Sequence, residues 1–173
     1  MIGTDEVRKF LMENINSNIH LPSSLESKAG IIPKFCCDII KQINNLKLFG
    51  NICKLKVSYI ENHLNSINCL ISGKKNIFKG WGFKDEIKYK EDCEPKLIEC
   101  KTINEIMSII SKGLKNMKQT LNEENFQSSR SHTFLILDIH TTCIDGSKIH
   151  QKIILGDLAG SERVNINFLN ILF

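Results

Sequence analysis

Two apolar runs near the carboxyl end, Phe134-Leu-Ile-Leu-Asp-Ile-His-Thr-Thr142 and Ile149 to Leu155, are rich in strand-favouring residues. Ile144-Asp-Gly-Ser-Lys148 separates them, and Asp145-Gly146 between such runs is a strong reversal signal. The pattern predicts an antiparallel hairpin. With Asp145-Gly146 as a two-residue tip, Phe134 faces Asp157 and Arg130 lies near Ser161. Upstream, Thr102-Ile-Asn-Glu105 is a capping box. It opens a helix that carries Ile103, Ile106, Ile110, Leu114 and Met117 on one face. Cys53 to Ile60 reads as a strand. Pro33 suits the first turn of another helix, with Phe35, Ile39, Ile40 and Ile43 on one face. Residues 1–29 read as a polar, loop-like lead-in. Ser72 to Asp92 reads as a Gly- and Lys-rich connection with a short strand at Ile87-Lys-Tyr89. The chain carries no internal repeat.

The hairpin brings two polar clusters to one end of a sheet. Asn125-Phe-Gln-Ser-Ser-Arg-Ser-His132 precedes its first strand, and Asp157-Leu-Ala-Gly-Ser-Glu-Arg163 follows its second. Ligands of open α/β sheets bind at strand ends. An Asp at the end of an apolar strand is a Mg²⁺-supporting group in phosphate-hydrolysing folds, and Asp157 has that place. Gly160 has no Cβ, so its backbone N–H can approach a terminal phosphate. A serine hydroxyl can ligate a metal or position a water. Arg130 and Glu162 have opposite charge and could form a bidentate pair that closes one loop on the other. Taken singly, each cluster reads as an ordinary polar loop or strand exit. Their joining by an apolar hairpin is what points to a site. His132 has two readings, a general base or a structural hydrogen-bond partner.

Composition narrows this further. A chain of 173 residues with 42% hydrophobic content suffices for one domain with a sizeable core. The net charge of +4 is mild. Lys74-Lys75, Lys84, Lys88 and Lys90 are interleaved with acids, which fits a solvated loop; no basic stripe with aromatics argues for nucleic acid. Seven cysteines without a Cys-x-x-Cys pair suggest reduced thiols, and zinc held by Cys93, Cys100 and a histidine is the less favoured reading. Asp5, Glu6 and Arg8 precede only a short apolar patch, so the start reads as neither a signal peptide nor an anchor. No run approaches the ~20 apolar residues of a membrane span.

Asn125-x-x-Ser-Ser-Arg-Ser-His132 and Asp157-Leu-Ala-Gly-Ser-Glu162 resemble the two nucleotide-sensing switch motifs of kinesin motor domains. Gly30-Ile-Ile-Pro-Lys34, Val57-Ser-Tyr-Ile-Glu61, the pair Gly113 and Asn116, and Met1-Ile-Gly3 resemble further kinesin segments in the same order. The resemblance implies an α/β fold, a partial kinesin-type P-loop NTPase with a mixed β-sheet flanked by helices. It spans residues 1–173 as one partial motor domain, with 1–29 as lead-in, 30–163 as the recognisable segment and 164–173 as an atypical tail. It implies ATP and Mg²⁺ as cofactors, microtubules as partner, and a cytoplasmic, cytoskeletal location. In its terms Ser129 is a Mg²⁺ ligand and Asp157 supports the metal. Ser128 and Asn125 position the γ-phosphate and the attacking water. Gly160 senses the γ-phosphate, and Arg130 pairs with Glu162.

Departures from the family pattern are plain. No Gly-x-x-x-x-Gly-Lys-Ser/Thr phosphate loop occurs; Gly73-Lys74 is followed by Lys75. Asn62-His-Leu-Asn65, Met117, Asn122 and Gly156 stand where the family has other residues, and the residues after Arg163 do not follow it. Two functions follow as alternatives: a segment of an ATP-hydrolysing microtubule motor, or a non-catalytic remnant serving at most as an interaction module.

Overall fold

The computed structural model describes residues 2–14, 24, 27–63, 66–75, 78–81, 87–89, 95–124 and 131–159. In chain order the elements are α1 (Asp5–Glu13), α2 (Ile31–Leu48), β1 (Ile52–His63), β2 (Ser66–Cys69), β3 (Phe78–Trp81), β4 (Ile87–Tyr89), β5 (Ile98–Cys100), α3 (Ile103–Glu124), β6 (Ser131–Thr142) and β7 (Lys148–Asp157). Strands β3 and β4 form a separate two-stranded ribbon.

The main sheet is organised around β1. Along one edge β1 pairs with β6 without interruption, from Ile52↔Thr142 to His63↔Ser131. Its other edge is shared by β2, at Ile60 to His63, and β5, at Leu55 to Val57. β7 lies beyond β6, and every pairing is antiparallel. Side chains alternate across a strand, so one face collects the odd-numbered residues of both long strands. Leu55, Val57, Tyr59, Leu135, Leu137 and Ile139 are all buried on that face. Helices α2 and α3 pack on β1, and α3 also packs on α1 and α2. The expected α/β architecture, a sheet with flanking helices, is what the chain forms.

The capping box closes as the sequence predicts. The Thr102 N–H donates to Glu105 Oε2 at 3.1 Å, and the Glu105 N–H donates to Thr102 Oγ1 at 3.3 Å. Ile106, Ile110 and Leu114 of this helix are buried, with Ile103 and Met117 partly so. In α2 the buried line is Ile32, Cys36, Ile40 and Ile43, while Phe35 and Ile39 flank it. Burial pushes the Cys36 and Cys100 thiols up to about 12, which suits packing rather than reactivity. Cys93 lies outside the described residues.

Two expectations are corrected. The lead-in is not all loop: Asp5–Glu13 is a helix whose Val7 and Leu11 are fully buried. Its acidic first turn, Asp5 and Glu6, favours the positive end of the helix dipole. Ser111 Oγ of α3 donates to the Leu11 carbonyl, and the Gly30 N–H donates to the Ile2 carbonyl at 2.8 Å, fixing both ends of the segment. The second correction concerns the hairpin. Its loop is the three residues Ile144, Asp145 and Gly146, not a two-residue tip. The Gly146 N–H returns to the Cys143 carbonyl at 2.9 Å, Gly146 takes a positive φ of 82°, and the Cys143 N–H bonds the Ser147 carbonyl at 2.8 Å. Asp145 Oδ1 accepts from the Ser147 N–H at 2.9 Å, bracing the turn. The extra residue moves the register by one, so Asp157 faces Thr133 and Gly156 faces Phe134. Because the pleat has period two, Asp157 thereby moves to the helix-facing side of the sheet.

Gly113 sets how closely α3 approaches that side. A Cβ there would lie 2.2 Å from Tyr59 Cδ1 and 2.5 Å from Cε1. Three positions on, Asn116 Nδ2 donates to the Leu70 carbonyl at 2.6 Å and locks the same contact. Replacing a helical glycine by alanine ordinarily gains up to about 1 kcal/mol. Here overpacking dominates, and Gly113→Ala is expected to lower stability by about 1–3 kcal/mol. Urea denaturation checks this; an unchanged or raised midpoint would show that the ring has room to move.

Candidate functional site

The chemistry expected from sequence centres on the ends of β6 and β7. β6 starts at Ser131, directly after the first polar cluster, and β7 ends at Asp157, where the second begins. The two clusters therefore adjoin neighbouring strand ends. Of the predicted site residues, Asp157 is described and half-buried. Asn125, Ser128, Ser129, Arg130, Gly160 and Glu162 lie outside the described residues.

On the helix-facing side, Glu61, Thr133 and Asp157 form one cross-strand row over β1, β6 and β7. Tyr59 sits one step further in, 2% exposed, and its hydroxyl bonds the Thr133 side chain. Burial pushes the Tyr59 phenol up to about 12. The Thr133 bond opposes this, the Asp157 charge adds to it, the Arg8 charge opposes it and the Glu61 charge adds to it. The charges of Arg8, Asp157 and Glu61 thus all act on this phenol.

Glu61 is 1% exposed. Its Oε2 accepts from Asn68 Nδ2 at 3.2 Å, and Asn68 Oδ1 accepts from Ser66 Oγ at 2.9 Å. Its Oε1 and the buried Arg8 Nε have no hydrogen-bond partner among the described residues. A buried carboxylate oxygen without a donor is costly and is retained where a further cation or donor completes it. Tyr59, Glu61, Thr133 and Arg8 were not singled out from sequence. The signal was present in Val57-Ser-Tyr-Ile-Glu61, whose alternation puts Glu61 on the face of Val57 and Tyr59.

On the opposite side of the sheet, His132 Nδ1 accepts from the Ala159 N–H at 3.1 Å. That bond uses the lone pair of Nδ1 as an acceptor. His132 is then a strap between the two clusters. Next to it the Phe134 ring covers Gly156, where a Cβ would come within 3.2 Å. The glycine that departs from the family pattern is therefore filled from the neighbouring strand.

The kinesin motor-domain family model matches residues 11–168. The chain belongs to the kinesin motor-domain family. It is 30% identical over 141 residues to kinesin heavy chain isoform 5C of Homo sapiens and of Rattus norvegicus, covering 79% of this chain and 14% of each relative. It is 29% identical over 156 residues to the kinesin-1 heavy chain of Homo sapiens, covering 87% of this chain and 15% of the relative. The chain thus spans about one seventh of these relatives' length. A solved structure of a fast kinesin superposes with a TM-score of 0.71 at 23% identity, over 84% of this chain and 41% of that one, which shows a shared fold.

The kinesin strap at His132 is testable. His132→Ala removes the acceptor for the Ala159 N–H, a loss of about 1 kcal/mol. Hydrogen exchange at the Ala159 amide should speed up about fivefold, while amides in the centre of β1 and β6 keep their protection. Unchanged exchange at Ala159 would remove His132 from this role.

Proposed function

We propose that this chain is the switch-bearing segment of a kinesin motor, whose parent activity is ATP hydrolysis coupled to movement along microtubules. The observation that carries the reading is the hairpin register. It sets the first residue after Arg130 and the carboxylate of Asp157 on adjacent strand ends, with Thr133 between Asp157 and buried Glu61. Oxygen donors at a strand end are the ligand type Mg²⁺ takes, and Asp157 is half-buried there. Bound Mg²⁺ would neutralise charge on the β- and γ-phosphate oxygens.

The chain's own residues divide the remaining work. Ser129 and Asp157 hold the metal, directly or through water. Asn125 and Ser128 position the terminal phosphate and the attacking water. Gly160 offers its N–H to the γ-phosphate, and the Arg130–Glu162 pair closes one loop over the other. His132 aligns the strand exits from which both loops depart. Microtubules are the partner, and a cytoplasmic, cytoskeletal setting follows. No helix among the described residues is long and apolar enough to cross a membrane.

These 173 residues contain no Gly-x-x-x-x-Gly-Lys-Ser/Thr. With no such nest of N–H groups and no phosphate-reaching lysine, they sense a γ-phosphate that another segment must hold. That favours, for the chain on its own, the second reading of a non-catalytic segment able at most to bind partners.

Calorimetry separates the two. The 173-residue chain alone is expected to show no saturable Mg-ATP binding below millimolar concentration and no microtubule-stimulated hydrolysis. Saturable micromolar binding would overturn the non-catalytic reading. In a longer chain that carries a phosphate loop, Asp157→Asn and Arg130→Ala should each slow hydrolysis about 100-fold or more while nucleotide affinity changes far less. Full hydrolysis by both variants would remove these residues from the mechanism.

A further inference from the structure

The face of the sheet turned away from the helices holds a second cluster. His140 and His150 are direct cross-strand partners on β6 and β7. Their rings stack with centroids 4.2 Å apart and planes 11° from parallel. Asp138, two residues before His140 on the same face, bonds His150 Nε2 through Oδ1, and His140 Nε2 lies 3.5 Å from that same oxygen. One ligand atom from each of the three side chains falls within 4.8 Å of the others. The Asp138 side chain is 11% exposed, while those of His140 and His150 are 45% and 55% exposed. The acid forms the floor and the imidazoles form the rim. The two imidazoles border a groove of about 370 Å³ lined also by Lys54, Lys56, Thr142 and Lys148.

We propose that Asp138, His140 and His150 form a binding site for a divalent transition metal of the zinc class, independent of the switch site. Zinc bonds to imidazole nitrogen and carboxylate oxygen are about 2.0–2.2 Å, so tetrahedral ligand atoms stand about 3.3 Å apart. The observed spacing brackets that value, and rotation about the two histidine side chains at the rim closes the remainder. Two imidazoles and one carboxylate leave a fourth position open to water from the groove, the three-ligand pattern of open zinc sites. On binding, each ring presents Nε2 as the ligand and carries its proton on Nδ1, so no net proton is lost from a neutral histidine.

The ligand types select the class of metal. In register, Asp138 lies between Lys56 and Lys152, and His140 lies between Lys54 and His150. With one carboxylate, flanked by Lys56 and Lys152, and two imidazoles, the set does not suit Mg²⁺ or Ca²⁺, which take oxygen ligands. Imidazole-rich sets suit Zn²⁺, Ni²⁺ and Cu²⁺, with Cu²⁺ the tightest. Bridging neighbouring strands, the ion would clip β7 to β6 at the turn end of the hairpin.

The seven thiols can also take up zinc, so the test reads the imidazoles themselves. The full chain labelled with ¹⁵N at histidine is titrated with Zn²⁺ alone and, separately, with Mg²⁺ alone. The Nε2 resonances of His140 and His150, assigned with His140→Gln and His150→Gln, should move together and saturate with Zn²⁺ and stay in place with Mg²⁺. His150→Gln should weaken the shift at His140 about 100-fold, and Asp138→Asn should weaken both shifts about tenfold. Nε2 resonances unmoved by several equivalents of Zn²⁺ would overturn the proposal. So would Asp138→Asn binding as tightly as the native chain. All three substitutions are on the outward face, and circular dichroism of each variant confirms that the sheet is retained.

Discussion

Helix α3 approaches the sheet as closely as the Tyr59 ring and the bare Cα of Gly113 allow. Much of the molecule depends on that contact. The ring fixes the height of α3 above β1, and the Asn116 bond to the Leu70 carbonyl fixes its rotation. The Ser111 bond to Leu11 then places α1 on the same helix. The tyrosine hydroxyl points the other way along the sheet, to Thr133, whose neighbours in the row are Glu61 and Asp157. One side chain therefore joins helix packing to the polar row at the strand ends. Because α3 runs directly into residues 125–130, a shift of the helix and a change at Asp157 both act on Tyr59. A packed interface of this kind passes motion as a discrete repacking, since a close-packed interior does not deform smoothly.

The polar row is unusual for the inner face of a sheet. Its neighbours Val57, Leu135 and Leu137 are apolar and buried, yet Glu61 is as buried as they are. Asn68 satisfies one oxygen only. Replacing such a group by a hydrophobic residue often costs nothing in stability, so its presence fits conformational specificity at the site better than strength of the fold. Arg8, carried by α1, brings an opposite charge to the same neighbourhood. The amino-terminal helix thus contributes charge near Tyr59 as well as apolar residues to the core.

Much of this architecture is legible in the sequence, and the failures have physical causes. The capping box at Thr102 and the two strands of the hairpin come from local signals, and local signals suffice where a pattern extends over many residues. The register does not. Asp145-Gly146 marks a reversal equally well whether the loop holds two residues or three, and only the left-handed Gly146 and the Cys143–Ser147 bond decide it. That single residue decides which face Asp157 occupies. Helix α1 escaped for another reason. Nine residues with two buried positions give too few turns for periodicity to stand out against Asp5, Glu6, Arg8 and Lys9. The inner polar row was hidden because strand patterns are read for apolar alternation, and Glu61 breaks that pattern at a position it otherwise predicts.

β7 concentrates both the chemistry and the weakest support. β6 is paired on both edges, whereas among the described residues β7 is paired only with β6. Ile153 and Leu155 lean on the core, but Ile154 is 57% exposed on the other face. Gly156, next to the strand's last residue, is covered by Phe134, and the chain beyond is held through Ala159 by His132. Segments that open at low free energy are those with few buried apolar contacts and one-sided hydrogen bonding. β7 has both properties, and its last residue is the carboxylate proposed to hold the metal. A ligand shifts such an element only by its differential affinity for the two positions. A lightly held strand needs a smaller difference than one buried between two neighbours. The placement of Asp157 at the end of β7, and not of β1 or β6, is therefore where a metal bound with its phosphate would have the most leverage on the fold.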